Sequence, residues 1–179
     1  YNADGTLAWS RQIGTSEWDY SSSVAVDAAG NAYISGSTQG GSLGGPNAGF
    51  WDAFLTRYNA DGTLAWSRQI GTSLEDVSHG VAVDAAGNAY ISGSTNGSLG
   101  GPNAGNGYSD AFLARYNADG TLAWSRQIGT SASESSGGVA VDAAGNAYIS
   151  GQTGGSLGGP NAGSNDAFLT RYNADGTLA

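Results

Sequence analysis

The chain has no cysteine, no lysine, only three prolines and a single histidine, and charged residues fill just 12% of its 179 positions. Without cysteine there are no disulfides, no thiolate metal sites and no cysteine nucleophile. Six arginines are the only strong bases against 15 carboxylates, giving a formal net charge of -9. A surface of that sign repels nucleic acid and anionic lipid, so neither is expected as a partner. No run of 18 apolar residues occurs, so no segment reads as a membrane-spanning helix. The opening YNADGTLAWS is no signal peptide, and a chain beginning at Tyr1 reads as processed or trimmed. What abounds is glycine, 31 residues beside a hydrophobic content of 39%. That is too apolar for a disordered chain and too rich in glycine for a helical one.

Self-comparison settles the organisation. YNADGTLAWSRQIGTS begins at Tyr1, Tyr58 and Tyr116, and YNADGTLA returns at Tyr172; the spacings are 57, 58 and 56 residues. VAVDAAGNAYISG begins at Val24, Val81 and Val139, GSLGGPNAG at Gly41, Gly97 and Gly155, and DAFL at Asp52, Asp110 and Asp166. Each unit reads as four short strands in two hairpins. VAVD and NAYISG flank a turn at Gly30, Gly87 or Gly145, and AFLTRYN and TLAWSRQI flank an Asp-Gly turn, a strong hairpin signal. AFL and AYI place apolar residues on both strand faces, as sheets covered on both sides require. Four-stranded sheets at a fixed period describe propeller blades better than a β-solenoid or a sandwich.

The run DAFLTRYNADGTLAWSRQIGTS followed by VAVDAAGNAYISG resembles the SBBP-type repeat of seven-bladed β-propellers, and VAVDAAGNAYISG is also similar to NHL-type blades. The resemblance implies an all-β propeller whose AVD segments form the innermost strands, on a secreted or cell-surface protein, with no enzymatic activity. It places blade-one strands near 23–28, 31–37, 52–59 and 63–70. The chain then divides into an outermost strand within 1–14, blade 1 over 15–71, blade 2 over 72–129 and blade 3 over 130–179, with an incomplete outer strand.

Three blades fall short of the 4–8 that usually close a ring. The expected partner is therefore the chain itself. The strand Thr6 to Ile13 of one copy would complete the third blade of another, giving a six-bladed, two-fold ring. Nine blades from three chains, and a segment of a longer array on a cell-surface protein, are the alternatives. Near-identical repeats fit recent duplication or deliberate engineering equally.

Candidate chemistry is sparse. His79 stands where the other units have Ser22 and Gly137, and no G-x-S-x-G elbow accompanies it, so no catalytic set is assembled. Asp27, Asp84 and Asp142 recur beside a turn and read as caps. NADGT around Asp61 offers one charge where a Ca²⁺ loop needs several, and GSLGGPNAG lacks the Lys-Ser/Thr of a phosphate loop. No cofactor and no metal are expected. In GSLGGPNAG, Leu43, Leu99 and Leu157 should pin the loop to the body. Arg57 with Trp66 and Arg115 with Trp124 sit near each other across the Asp-Gly hairpins; whether they face each other depends on the turn type, and the pair reads as blade architecture.

The units differ in two places: after GTS (Glu17-Trp18-Asp19-Tyr20, Leu74-Glu75-Asp76-Val77, Ala132-Ser133-Glu134-Ser135) and before DAFL (Phe50-Trp51, Asn106-Gly107-Tyr108-Ser109, Ser164-Asn165). Alternating strand directions bring both to one rim. Trp18, Tyr20, Phe50, Trp51 and Tyr108, beside Glu17, Asp19, Glu75 and Asp76, are the candidate surface for a glycan or a protein.

Overall fold

The computed structural model describes residues 1–105 and 107–179 and is all-β among them. Eleven strands follow in order: β1 (Asp19–Val26), β2 (Ala32–Gln39), β3 (Trp51–Tyr58), β4 (Leu64–Ile70), β5 (Asp76–Val83), β6 (Ala89–Thr95), β7 (Asp110–Tyr116), β8 (Leu122–Ile128), β9 (Glu134–Val141), β10 (Ala147–Thr153) and β11 (Asp166–Tyr172). They form antiparallel meanders β1-β2-β3-β4 and β5-β6-β7-β8, and a three-stranded sheet β11-β10-β9. A bridge between Tyr172 and Leu178 marks where a fourth strand begins on blade 3.

The turns form for local reasons. In the first hairpin of blade 1, Gly30 N–H donates to Asp27 O at 3.0 Å, and Asp27 Oδ1 accepts Ala29 N–H and Asn31 N–H at 3.0 and 2.9 Å. Gly30 has φ +82°, a conformation side chains resist. In the second, Asp61 Oδ1 accepts the N–H and hydroxyl of Thr63 at 2.9 and 2.6 Å. Both aspartates cap turns, as their repetition in the sequence suggested.

The AVD strands are innermost. β1, β5 and β9 neighbour one another from blade to blade, Val81 N–H donating to Ser23 Oγ at 3.3 Å. Each carries a register shift, at Ser21/Ser23, Ser78/Gly80 and opposite Ser150/Gly151. The GSLGGPNAG loop folds back over the blade, with Leu43 buried, its N–H donating to Gln69 Oε1 at 2.6 Å and its carbonyl accepting Ser67 Oγ at 2.7 Å. Leu99 and Leu157 pack against the two core clusters, so all three leucines pin their loops.

Those clusters lie between blades. One joins Tyr33, Ala53 and Leu55 of blade 1 to Val81, Ile91, Phe112 and Tyr116 of blade 2. The other joins Tyr90, Ala111 and Leu113 of blade 2 to Ile149, Phe168 and Tyr172 of blade 3. Every blade thus has a leading face toward the next blade and a trailing face toward the one before. Alternation along each strand assigns its residues to one or the other.

Arg57 lies beside Trp66 across the hairpin, but it does not stack on the indole. Arg57 and Trp66 are register partners, but the Arg57 guanidinium lies over the Tyr33 ring at 5.8 Å, while Trp66 receives Arg68 at 5.8 Å. Arg115 and Arg126 repeat this over Tyr90 and Trp124. Tyr33, Arg57 and Trp66 are opposed in register and leave from one face, where Arg57 and Trp66 both donate to Ala118 O, at 3.3 and 3.2 Å.

Candidate functional site

Adjacent blades are joined by more than apolar contact. The indole N–H of Trp66 donates to Ala118 O at 3.2 Å and Arg68 Nε–H to Gly120 O at 2.7 Å, so the outer strand of blade 1 grips the Asp-Gly turn of blade 2. Trp124 and Arg126 grip Ala174 O and Gly176 O of blade 3 at 3.4 and 2.7 Å. Trp9 and Arg11 hold Ala60 O and Gly62 O of blade 1 at 3.0 and 2.7 Å. The segment expected as strand Thr6 to Ile13 therefore occupies the outer-strand position of a blade preceding blade 1. It is not assigned as a strand, because no ladder partner lies beside it.

The two outer faces of the array are open. Leu55 and Leu113 are fully buried on the leading faces of blades 1 and 2, but their equivalent Leu169 on blade 3 is 72% exposed. Val81 on the trailing face of blade 2 is 8% exposed, whereas its equivalent Val24 on blade 1 is 65% exposed. Val26, Ala140, Ala167 and Arg171 are exposed on these same two faces. The faces at the two ends of the chain thus carry the residues that bury one another at the internal junctions.

On the variable rim, the structure gathers four rings of blade 1. Trp18 stacks on Tyr20 with centroids 6.1 Å apart, Tyr20 lies 5.7 Å from Trp51, and Phe50 meets Trp51 edge-on at 6.1 Å. Trp18, Tyr20 and Phe50 remain exposed. Tyr108 is exposed on blade 2 and makes no ring contact among the described residues; Asn106 beside it lies outside them.

The carboxylates divide. Glu17 and Glu75 are exposed, and Glu75 bridges to Trp51 through the backbone. Asp76 is fully buried: Oδ2 accepts the N–H and hydroxyl of Thr72 at 2.6 and 2.9 Å, and Oδ1 accepts the hydroxyl of Thr95. Burial pushes its carboxyl above the usual aspartate range, against those hydrogen bonds. Asp19 likewise accepts the N–H and hydroxyl of Thr15 at 2.5 and 3.0 Å, and Glu134 those of Thr130 at 2.6 and 2.7 Å. Asp76 therefore staples the loop entering its blade and presents no charge to a ligand. The sequence held the signal: an acid four residues after a Thr recurs in every unit, so positions 19, 76 and 134 are not variable.

His79 Nδ1 lies 2.9 Å from Ser136 O and 3.5 Å from Ser135 Oγ. A carbonyl only accepts, so Nδ1 is the protonated nitrogen and is not free to take a proton from Ser135. Among the described residues no group of three metal-ligating side chains converges, and no helix is long and apolar enough to cross a membrane.

The grip of Trp and Arg on the next turn was not read from sequence, because it joins residues about fifty positions apart. Its signal was the invariance of TLAWSRQ between units. Leu169, Val24 and Val26 were also missed as surface residues, since only their place in the array separates them from buried copies.

A family model described as SBBP, a beta-propeller repeat, matches the chain three times, over residues 8–44, 65–101 and 123–159. Each match runs from the outer-strand segment of one blade across the first two strands of the next. No curated protein matches the chain.

Proposed function

Because the chain belongs to the SBBP beta-propeller repeat family, we propose that its work is structural and non-enzymatic: it is a repeat module that associates with a second copy to close a six-bladed ring. The observation that carries this reading is Leu169, 72% exposed where Leu55 and Leu113 are fully buried. The leading face of blade 3 in one copy would meet the trailing face of blade 1 in the other, reproducing the junctions already made within the chain. Two such contacts close a two-fold ring of six blades, inside the usual 4–8. Covering a large aliphatic side chain contributes about 1.5–3 kcal/mol, so Leu169, Val24 and Val26 alone favour closure on both sides. Placement outside the cell or at its surface is an expectation from the family alone.

Light scattering coupled to size exclusion, over a range of concentrations, tests it. Twice the 17.9 kDa chain mass is expected. A single-chain mass throughout overturns the assembly, and a large polydisperse mass overturns closure in favour of open-ended stacking.

A second reading is supported by the rings of Trp18, Tyr20, Phe50 and Trp51, which only blade 1 carries. Such a ladder offers apolar faces to a sugar ring or a protein surface. On that reading, Trp18→Ala with Trp51→Ala abolishes retention on a glycan array or in a pull-down while assembly persists. Retention that survives both changes removes this surface from consideration.

A further inference from the structure

The units of this chain are near copies, so the fold accounts for what they share and leaves their differences unexplained. Two of those differences meet at one boundary. Tyr20 opposes Ser37 and Trp51 opposes Gln39, and Ser37 and Gln39 alternate onto one side of β2. Ala53, buried between blades 1 and 2, opposes the same Ser37, so the rings stand on the face of blade 1 that turns toward blade 2. Trp18 and Phe50 complete the row, 63% and 62% exposed. In blade 2 lies an open cleft of about 520 Å³, lined by Thr72, Ser73, Leu74, Asn96, Ser98 and Asn103. Asn96 stands where blade 3 has Gly154, and the chain from Gly105 to Asp110 is longer than its counterparts from Gly49 to Asp52 and from Gly163 to Asp166.

Rings and cleft lie on the two sides of one segment, Thr72 to Glu75. On the blade 1 side, Trp51 bridges to Glu75 through the backbone, and a Cβ on Gly49 would collide with the carbonyls of Thr72 and Leu74. On the blade 2 side, Asn96 N–H donates to Glu75 O at 2.9 Å. Two backbone links through Glu75 therefore fix the ring row relative to Asn96. Resting on the second reading above, we propose that rings and cleft form one groove for a polysaccharide of sugars without acidic groups. The chain of sugars runs from the rings of blade 1 over Ser73 and Leu74 into the cleft of blade 2.

The chemistry favours that class of ligand. A sugar ring has C–H faces that pack on aromatic rings, and hydroxyls at its edge that need hydrogen-bond partners. The ring row supplies the first; the hydroxyls of Thr72, Ser73 and Ser98 and the amides of Asn96 and Asn103 supply the second. A protein partner could cover the rings with apolar side chains, but an apolar interface core would leave the polar groups of the cleft desolvated and unpaired. Charge narrows the choice further. Glu17 and Glu75 are exposed beside the rings. The arginines are engaged elsewhere: Arg11, Arg68 and Arg126 hold the Asp-Gly turns, and Arg57, Arg115 and Arg171 lie over Tyr33, Tyr90 and Tyr148. Uronic acid chains and sulfated chains are therefore repelled.

Native electrophoresis of the 179-residue chain tests this, since a net charge of -9 carries it through the gel. Separate gels contain hydroxyethylcellulose, glucomannan, laminarin, glycol chitin or polygalacturonate. At least one neutral polymer should retard the chain, and polygalacturonate should not. Trp18→Ser and Asn96→Gly each install what blade 3 carries at the same place, so circular dichroism should report an unchanged fold. Each should weaken retardation by about 2–10-fold. Weakening by Trp18→Ser alone overturns the groove and leaves the ring surface; weakening by Asn96→Gly alone overturns it and leaves the cleft. Retardation unchanged by both removes rings and cleft together. Equal retardation by polygalacturonate overturns the choice of sugars without acidic groups. No retardation by any neutral polymer overturns the proposal. The second reading then stands only if a protein is retained in a pull-down and lost with Trp18→Ala and Trp51→Ala.

Discussion

The indole N–H of Trp66 reaches the carbonyl of Ala118, 52 residues further along the chain, at 3.2 Å. With Arg68 on Gly120 O, the same outer strand makes two directed hydrogen bonds to a turn of the next blade. Apolar burial between blades is tolerant of sliding; two donors aimed at two fixed carbonyls are not. The spacing between blades at their outer edge is set by this pair, and the pair recurs at each junction.

Trp66→Phe keeps most of the ring contact with Tyr33 and removes only the donor, so it should cost about 0.5–1.5 kcal/mol. Arg68→Ala should cost more, since it removes a charged donor and the guanidinium over Trp66 together. Denaturant melts of the two variants check the order. An Arg68→Ala variant as stable as Trp66→Phe would show that the guanidinium contributes little.

Leu113 and Leu169 should respond oppositely to the same treatment. Leu113 is fully buried between blades 2 and 3, so Leu113→Ala should destabilise the chain by about 2–5 kcal/mol. Leu169→Glu introduces a charge on a face that is open in the single chain, so the blades should stay folded while the two-chain mass is lost. Circular dichroism and light scattering on both variants separate the effects. A two-chain mass retained by Leu169→Glu would mean that this face is not the junction.

The hairpins and the loop leucines were legible because each rests on a local rule, turn chemistry or a repeated apolar residue, whereas the inner position of the AVD strands was implied by the family resemblance. Arg57 and Trp66 were legible as neighbours across their hairpin, but the stacking of the guanidinium on Tyr33 was not, because Tyr33 flanks Arg57 from the strand on its other side. Asp76 was grouped with the exposed rim because its neighbours vary, although its own position stays acidic in all three units. The exposure of Leu169 has no local cause at all. It depends on what stands beyond the last blade, and identical sequences on three blades cannot report that.

Asp76 separates a loop staple from a ligand group. Burial raises its carboxyl above the ordinary value, so its ionised form is worse tolerated folded than unfolded. Its contribution is therefore greatest below about pH 3.9, the unfolded value, and declines as pH rises through the raised folded value. Asp76→Asn can still accept from Thr72 N–H and donate to the Thr95 hydroxyl, and should hold stability while flattening this pH dependence. Asp76→Ala leaves Thr72 N–H and two hydroxyls without their acceptor and should cost about 1–3 kcal/mol or more. Thermal melts from pH 3 to 8 check both, and equal losses for Asn and Ala would refute the staple.

Gly93 tests the tightness of the inner hairpin. A Cβ there would collide with the backbone carbonyl of Val77 on the paired strand, and neither partner is a flexible side chain tip. The same collision awaits at Gly36 with Tyr20 and at Gly151 with Ser135, which is why all three units keep glycine in AYISG. Gly93→Ala should therefore destabilise the chain, whereas Gly107→Ala, with nothing near its Cβ among the described residues, should cost only the strain of its positive φ. Denaturant midpoints for the pair give the comparison, and a larger loss at Gly107 would contradict it.

The tyrosines that close the second hairpins predict how the fold fails in alkali. Burial pushes the Tyr172 phenol up to about 12, with Arg126 pulling weakly the other way, and burial raises Tyr116 as well. A phenol that ionises later when folded than when unfolded adds stability that is fully present below the unfolded value near 10 and is lost as pH rises toward the folded one. The melting temperature should hold steady between pH 7 and 9, then fall between pH 10 and 12. Phenolate absorbance from buried Tyr116 and Tyr172 should appear only with unfolding. Tyr172→Phe keeps the buried ring without the ionisable group, so its stability should decline less steeply over the same interval. A decline identical to that of the unmodified chain would place the alkaline failure elsewhere.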